Sequence, residues 1–290
     1  MPDIHIVTDS CANFHNEHFL QQNPITVVPA TLTIGGKTYR DGVDLKREDA
    51  LALIAKDRSA TITAPSVAEY AAVYAQLARS SDLIISLHAS REMLPSWQNA
   101  QTAAETVMGN SGIAVVDTRT ICAAQGMVVR AALEAGREET SVEEIVRRIR
   151  GAIDRIYAVY YVETIDFLMR NNILSQSHTI LGSMLGIKPF LTIEDGEIKP
   201  IEKVRTRAQA IERLVEFAVE FTDVEDALIL HHHLHSSEQA HMLQDRLAQE
   251  FPGQHFIMTT YSAALACLIG PDATGIVIIE EELNDTYNDF

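Results

Sequence analysis

Thr8-Asp9-Ser10 directly follows the first apolar run of the chain, residues 4–7. If that run is a strand of an open parallel sheet, the tripeptide stands at the carboxyl end, where such sheets bind ligands. Short polar residues after a strand also cap helices and tie down turns, so Asp9 and Ser10 admit both readings. Thr61, Thr63 and Ser66 flank Pro65 ahead of a helical pattern. There, hydroxyls and free backbone amides either converge on an anion or cap the helix. Ser86, His88, Ser90 and Ser96 follow the third apolar run and belong at the same sheet edge as Asp9. Uncharged hydroxyl and amide donors suit a carboxylate, whose oxygens accept several hydrogen bonds without an Arg.

Two other chemistries compete. Ser90, His88 and Asp117 are the residue types of a nucleophile, a base and an orienting acid, which makes a serine-dependent acyl hydrolase the rival reading. The chain has no G-x-S-x-G elbow to expose such a serine. His231, His232, His233 and His235 are metal-ligand types. Consecutive residues at a strand end alternate faces, however, so no metal is expected. Asp41, Asp44, Glu202 and Lys203 flank strands, where turn hydrogen bonds and salt bridges account for them. Trp97 reads as helix packing. No P-loop or G-x-G-x-x-G fingerprint is present, so no nucleotide cofactor is expected.

The elements that must position these residues are legible as apolar runs. Residues 4–7, 25–28, 83–85 and 113–116 read as buried parallel strands, with Ala-rich helices at 63–78 and 96–107 between them. Residues 32–44, with Gly35-Gly36 between Thr-rich flanks, read as a hairpin leaving the sheet. Two helices at 121–153 close this part, the second opened by Ser141 and Glu144 at capping-box spacing. Strands then follow at 156–162, 187–193, 197–204, 227–231, 255–259 and 275–280, with a turn at Asp195-Gly196 and capping boxes at Thr206/Gln209 and Ser236/Gln239. The expected fold is α/β with two lobes. A three-layer α/β/α lobe with a parallel sheet spans residues 1–154, and an α/β lobe with a mixed sheet spans 155–290, with a ligand between them.

Composition narrows the partners. With 290 residues, 47% of them hydrophobic, the chain can bury a full core in each lobe. A formal net charge of -17 opposes a nucleic-acid partner, which needs clustered Lys and Arg. No apolar run is long enough to cross a bilayer, and the opening Met-Pro-Asp-Ile-His lacks a signal-peptide pattern, so the expectation is a cytoplasmic protein. Cys11, Cys122 and Cys267 form no CxxC pair and read as idle thiols.

The strings IVTDSCANF, ITVVPATLTIGGKTYRDGVDL, TITAPSVAEY, IISLHAS, VVDTRTICAAQGMVV, ILGSMLGIKPFLTIEDGEIKPIEKVRTRAQAIERL and IGPDATGIVI occur in the order of the DegV family, which the chain resembles over nearly its whole length. The resemblance implies a non-catalytic protein that binds a fatty acid in a tunnel between two lobes, with hydroxyl side chains holding the carboxylate. It also implies a dihydroxyacetone-kinase-like fatty-acid kinase as partner, to which the carboxylate is presented. The family's threonine-serine element falls on Ile62-Thr63, which makes Thr63 the best match and Thr61 a substitute. Its serine after the third strand falls on Ser90, but the pattern resumes only at Ser96-Trp97, leaving Ser90 and Ser96 both as carboxylate candidates. Leu181, Met184, Leu185 and Leu268 are candidate walls for the acyl chain; a Leu and Met stripe on a helix is equally the pattern of plain core. Two departures stand out: Asn171-Asn172-Ile173 replaces the glycine-glycine-arginine element linked to kinase contact, and Leu268 replaces a histidine. An interaction module that has lost its lipid is the remaining alternative.

Overall fold

The computed structural model describes residues 3–16, 18–107, 112–139, 141–174, 187–232 and 238–282. Leu181, Met184, Leu185, His233, His235 and Ser236 lie outside them. In chain order the strands are β1 (Ile4–Asp9), β2 (Ile25–Val28), β3 (Thr31–Ile34), β4 (Lys37–Arg40), β5 (Thr61–Thr63), β6 (Leu83–His88), β7 (Gly112–Asp117), β8 (Ile156–Val162), β9 (Lys188–Glu194), β10 (Glu197–Val204), β11 (Val224–His231), β12 (Ile257–Thr260) and β13 (Ala273–Glu280).

β1, β2, β6 and β7 form a parallel sheet in the order β2-β1-β6-β7. Side chains alternate across it. Ile6, Leu83, Ile85 and Leu87 pack under helices Ala123–Glu138 and Val142–Asp154. Val7, Val28 and Ile84 face the opposite way, toward helices Val67–Leu77 and Ser96–Thr106. The result is the expected three-layer arrangement. The two-residue period also puts Ser86 and His88 on the Ile84 face, where Tyr70 and Tyr74 of the first of those helices meet them.

The hairpin at 32–44 leaves the sheet as expected, but a short strand that the sequence pattern does not announce joins it. β3 pairs antiparallel with β4 and with β5. Ser66 follows β5 as the N-cap of helix Val67–Leu77 and forms a full capping box with Glu69, so capping accounts for this hydroxyl. The Thr206 and Gln209 box also forms; Ser141 accepts from the Glu144 backbone amide.

The second sheet has the order β10-β9-β8-β13-β11-β12. Only its β11–β12 pair is parallel. The Asp195-Gly196 turn between β9 and β10 has φ of 54° and 83°, the left-handed pair that a two-residue hairpin demands. Val159, Tyr161, Ile229, Ile276 and Ile278 bury one face of this sheet against helices Arg207–Ala218 and Glu238–Glu250. The alternate residues, among them Ala158, Tyr160, Leu191, Leu230 and Val277, share a single apolar cluster with Cys11, Leu32, Ile54, Leu94, Ile121 and Met127. The second sheet therefore shares one continuous core with the β4-β3-β5 sheet and with helices Arg47–Lys56, Ala123–Glu138 and Ala263–Ile269, whereas the strands of the parallel sheet pack in separate clusters.

Candidate functional site

Asp9, at the end of β1, is fully buried and accepts four hydrogen bonds. Cys11 N and Gln125 Nε2 donate to Oδ1, each at 3.1 Å, and His88 Nδ1 at 3.0 Å and Ala89 N at 3.3 Å face Oδ2. Burial alone would raise its pKa. The bonds from His88 and Gln125 outweigh it and hold the carboxyl below the ordinary value. His88 continues the network, with Nε2 2.7 Å from Ser86 Oγ, which is in turn 2.7 Å from the Tyr74 hydroxyl. Asp9, His88 and Ser86 thus have the residue types and connectivity of a charge-orienting triad, and all three are 0% exposed.

His88 therefore pairs with Asp9, and the rival grouping of His88 with Ser90 and Asp117 does not form. Asp117 Oδ1 instead accepts from the Arg119 amide at 2.9 Å, and its carboxylate lies 3.6 Å from Arg91. Ser90 Oγ donates to Gly196 O at 2.7 Å and accepts from Glu92 N at 3.2 Å. That bond joins the carboxyl edge of the parallel sheet to the β9–β10 turn, and an Arg119–Asp195 pair at 2.6 Å lies beside it. Ser90 is therefore at the seam between the two sheets.

The other hydroxyl candidates are not gathered there. Ser96 is fully buried at the start of helix Ser96–Thr106, facing the Tyr70 hydroxyl without completing a hydrogen bond. Thr61 and Thr63 share the exposed face of β5, because the residue between them, Ile62, turns inward against the inter-sheet core. Asn99 Nδ2 donates to Pro65 O at 2.8 Å and so ties the two segments together. His231 Nδ1 lies 2.8 Å from His232 O, and no group of three or more metal-ligating side chains occurs among the described residues. No described helix is long and apolar enough to cross a membrane.

Ile173 and Leu268, the two departures from the family pattern, meet across a cavity of about 370 Å³ whose wall also holds Met93 and Ile198. All four pack on the inter-sheet core. Asn171, read as part of a changed docking element, also braces its own surroundings, since its Nδ2 donates to Cys267 O and Leu268 O, each at 2.9 Å, at the end of helix Ala263–Ile269. Sequence gives no sign of that contact, which spans nearly a hundred residues.

A larger cavity, about 660 Å³, lies beside the end of β1 and is lined by Ser10, Phe14, Asp41, Lys46 and Arg47. Burial pushes the Asp41 carboxyl up to about 6, against the opposing Ser10 hydrogen bond and Arg47 charge. Its folded pKa lies above the unfolded 3.8, so the native state holds the extra proton between those values and loses stability as pH rises through them. Asp41→Asn is expected to raise stability at pH 7.5 by roughly 2 kcal/mol, with the gain vanishing toward pH 4. Thermal melting at the two pH values checks this; equal gains at both would assign the effect to something other than ionisation.

The profile of the DegV family, described as uncharacterised proteins, matches residues 3–281. A DegV domain-containing protein of Caldanaerobacter subterraneus is 33% identical over 285 residues, covering 97% of this chain and all of the relative. Among solved structures, a fatty acid binding DegV family protein from Streptococcus agalactiae superposes with a TM-score of 0.86 at 28% identity, over 97% of this chain and 100% of its own. DegV from Bacillus subtilis, a fatty acid binding protein, gives 0.83 at 27% identity, over 97% of this chain and 100% of its own. With the profile spanning every strand of both large sheets and of the β4-β3-β5 sheet, this chain belongs to the DegV family.

Proposed function

We propose that this protein is a non-catalytic carrier that binds a fatty acid, or a related lipid carboxylate, between lobes formed by residues 1–154 and 155–290. The observation that carries the reading is the apolar cluster that the second sheet shares with residues from the first half of the chain, with Ser90 at its polar edge. An acyl chain fits such a core because each buried methylene contributes about 0.8 kcal/mol without needing a polar partner. The fatty-acid ligands named for the Streptococcus and Bacillus proteins support the same class here. Ser90 is the first candidate for the carboxylate, with Ser96, Thr61 and Thr63 to be tested beside it, and Leu268 with Leu181, Met184 and Leu185 as chain contacts.

The test is denaturing mass spectrometry of lipids extracted from the purified protein, with native mass spectrometry for stoichiometry. One fatty acid per chain is the expected result; a protein that is empty and takes up no added fatty acid would sink the reading. The double variant Ser90→Ala/Ser96→Ala is expected to bind on the order of tenfold more weakly while keeping its circular dichroism spectrum. Unchanged affinity would remove both serines from the site. Presentation to a fatty-acid kinase extends the same proposal, and acyl phosphate formation with an added kinase of that class tests it separately.

A further inference from the structure

We infer that the Tyr160 hydroxyl is a ligand-facing hydrogen-bond donor, and that the lipid held in this shared core carries a neutral oxygen within its chain. This rests on the fatty-acid reading above and names the kind of fatty acid. Tyr160 is in the middle of β8, 1% exposed, and belongs to the cluster that the second sheet shares with the β4-β3-β5 sheet and the flanking helices. Its neighbours on the ladder are Gly275 and Leu191. A Cβ on Gly275 would stand 2.3 Å from the tyrosine ring, so the ring occupies the space that only glycine leaves open and is held in place on that side.

The hydroxyl at the end of this ring has no hydrogen-bond partner among the described residues. Other buried side chains with an unmet atom differ in kind. Asn13 and Gln125, whose amide oxygens are unmet, bond through their amide nitrogens, Arg170 bonds through its terminal nitrogens, and Ser96 faces the Tyr70 hydroxyl. The Tyr160 side chain has one polar atom, and it is the unmet one. An unmet buried hydroxyl is destabilising where phenylalanine would fill the same space freely, which points to an acceptor brought in from outside the fold.

The surroundings select the acceptor. Burial drives the phenol pKa far above its usual value, with the Cys122 sulfur as the charged-form neighbour, so the group stays protonated and donates. A carboxylate buried here would need several donors. The polar neighbour at hand is the Cys122 thiol, whose sulfur already accepts from Ser262 N at 3.1 Å. One donor in an apolar wall matches one neutral acceptor, such as an in-chain hydroxyl or oxo group.

The experiment compares the affinity of the full chain for stearic acid with that for mid-chain hydroxy- and oxo-stearic acids, the oxygen being moved along the chain. Wild-type protein is expected to bind at least one oxygenated acid about tenfold more tightly than stearic acid, and Tyr160→Phe to level that ratio. Stearic acid binding with no preference at any position would overturn the inference and leave the fatty-acid reading standing, as would a preference that survives in Tyr160→Phe. Failure to bind every acid would overturn both. The wild-type series decides the question even if the variant melts early.

Discussion

Asp9→Asn is expected to cost about 3–5 kcal/mol of folding stability at neutral pH, the range seen when one partner of a buried charged or hydrogen-bonded pair is removed. The carboxylate is fully buried and meets donors from Cys11, Gln125, Ala89 and the His88 ring. An amide keeps one acceptor oxygen and turns an NH₂ group toward the donors of the other, so a favourable contact becomes an opposed one. The loss should depend on pH in a stated direction. Because the folded pKa of Asp9 lies below 3.8, its stabilisation is present above the unfolded value and is lost as pH falls through the folded one. Urea denaturation of wild type and variant should therefore show a wide gap at pH 7 that narrows on strong acidification. A gap under about 1 kcal/mol at pH 7 would mean that the network tolerates a neutral Asp9 and that the surrounding backbone holds the loop alone.

How far this network was legible in the sequence depends on the distance between its parts. The β1 and β6 ends are readable because each is an apolar run that stops at polar residues, and the hydroxyl-rich segment at 86–96 follows from that. Pairing Asp9 with His88 does not follow, since 79 residues separate them and Asp117 is an equally plausible carboxylate on paper. Tyr70 and Tyr74 complete the cluster from a helix on which aromatic residues four apart look like ordinary core. At β5 the information was in the Thr-Ile-Thr alternation: once Ile62 faces the core, Thr61 and Thr63 must face away. A three-residue strand is too short to announce itself by period, so Thr63 reads as the start of the helical pattern at 63–78, whereas the helix begins only at Val67. Helix Arg47–Lys56 lacks the usual starting signal as well, because its N-cap residue, Lys46, offers no side-chain cap. The mixed sheet was more readable, its strands being long and bounded by turns such as Asp195-Gly196.

That turn carries the second large effect. Gly196→Ala is expected to destabilise the protein by about 2–3 kcal/mol, from two sources that a double-mutant cycle separates. The residue has φ +83°, which strains any side chain, and the new Cβ would stand 2.5 Å from Ser90 Oγ. Ser90 can escape only by rotating away from Gly196 O and Glu92 N, the two bonds that fix it. Ser90→Ala alone should cost about 1 kcal/mol for the lost bond. The combined Ser90→Ala/Gly196→Ala protein should then lose clearly less than the two single costs together, because the clash has gone and the bond is counted once. Strict additivity in thermal or chemical unfolding would mean that the serine and the turn are not in contact. The same contact bears on ligand binding. Ser90 has one hydroxyl proton, and it is engaged with Gly196 O, so holding a carboxylate through Ser90 must exchange that bond for a new one. If Ser90 is the ligand's anchor, added fatty acid should change hydrogen exchange at Asp195 and Gly196 in the wild type and leave it unchanged in Ser90→Ala. A turn that ignores the ligand in both proteins would place the carboxylate elsewhere along the seam.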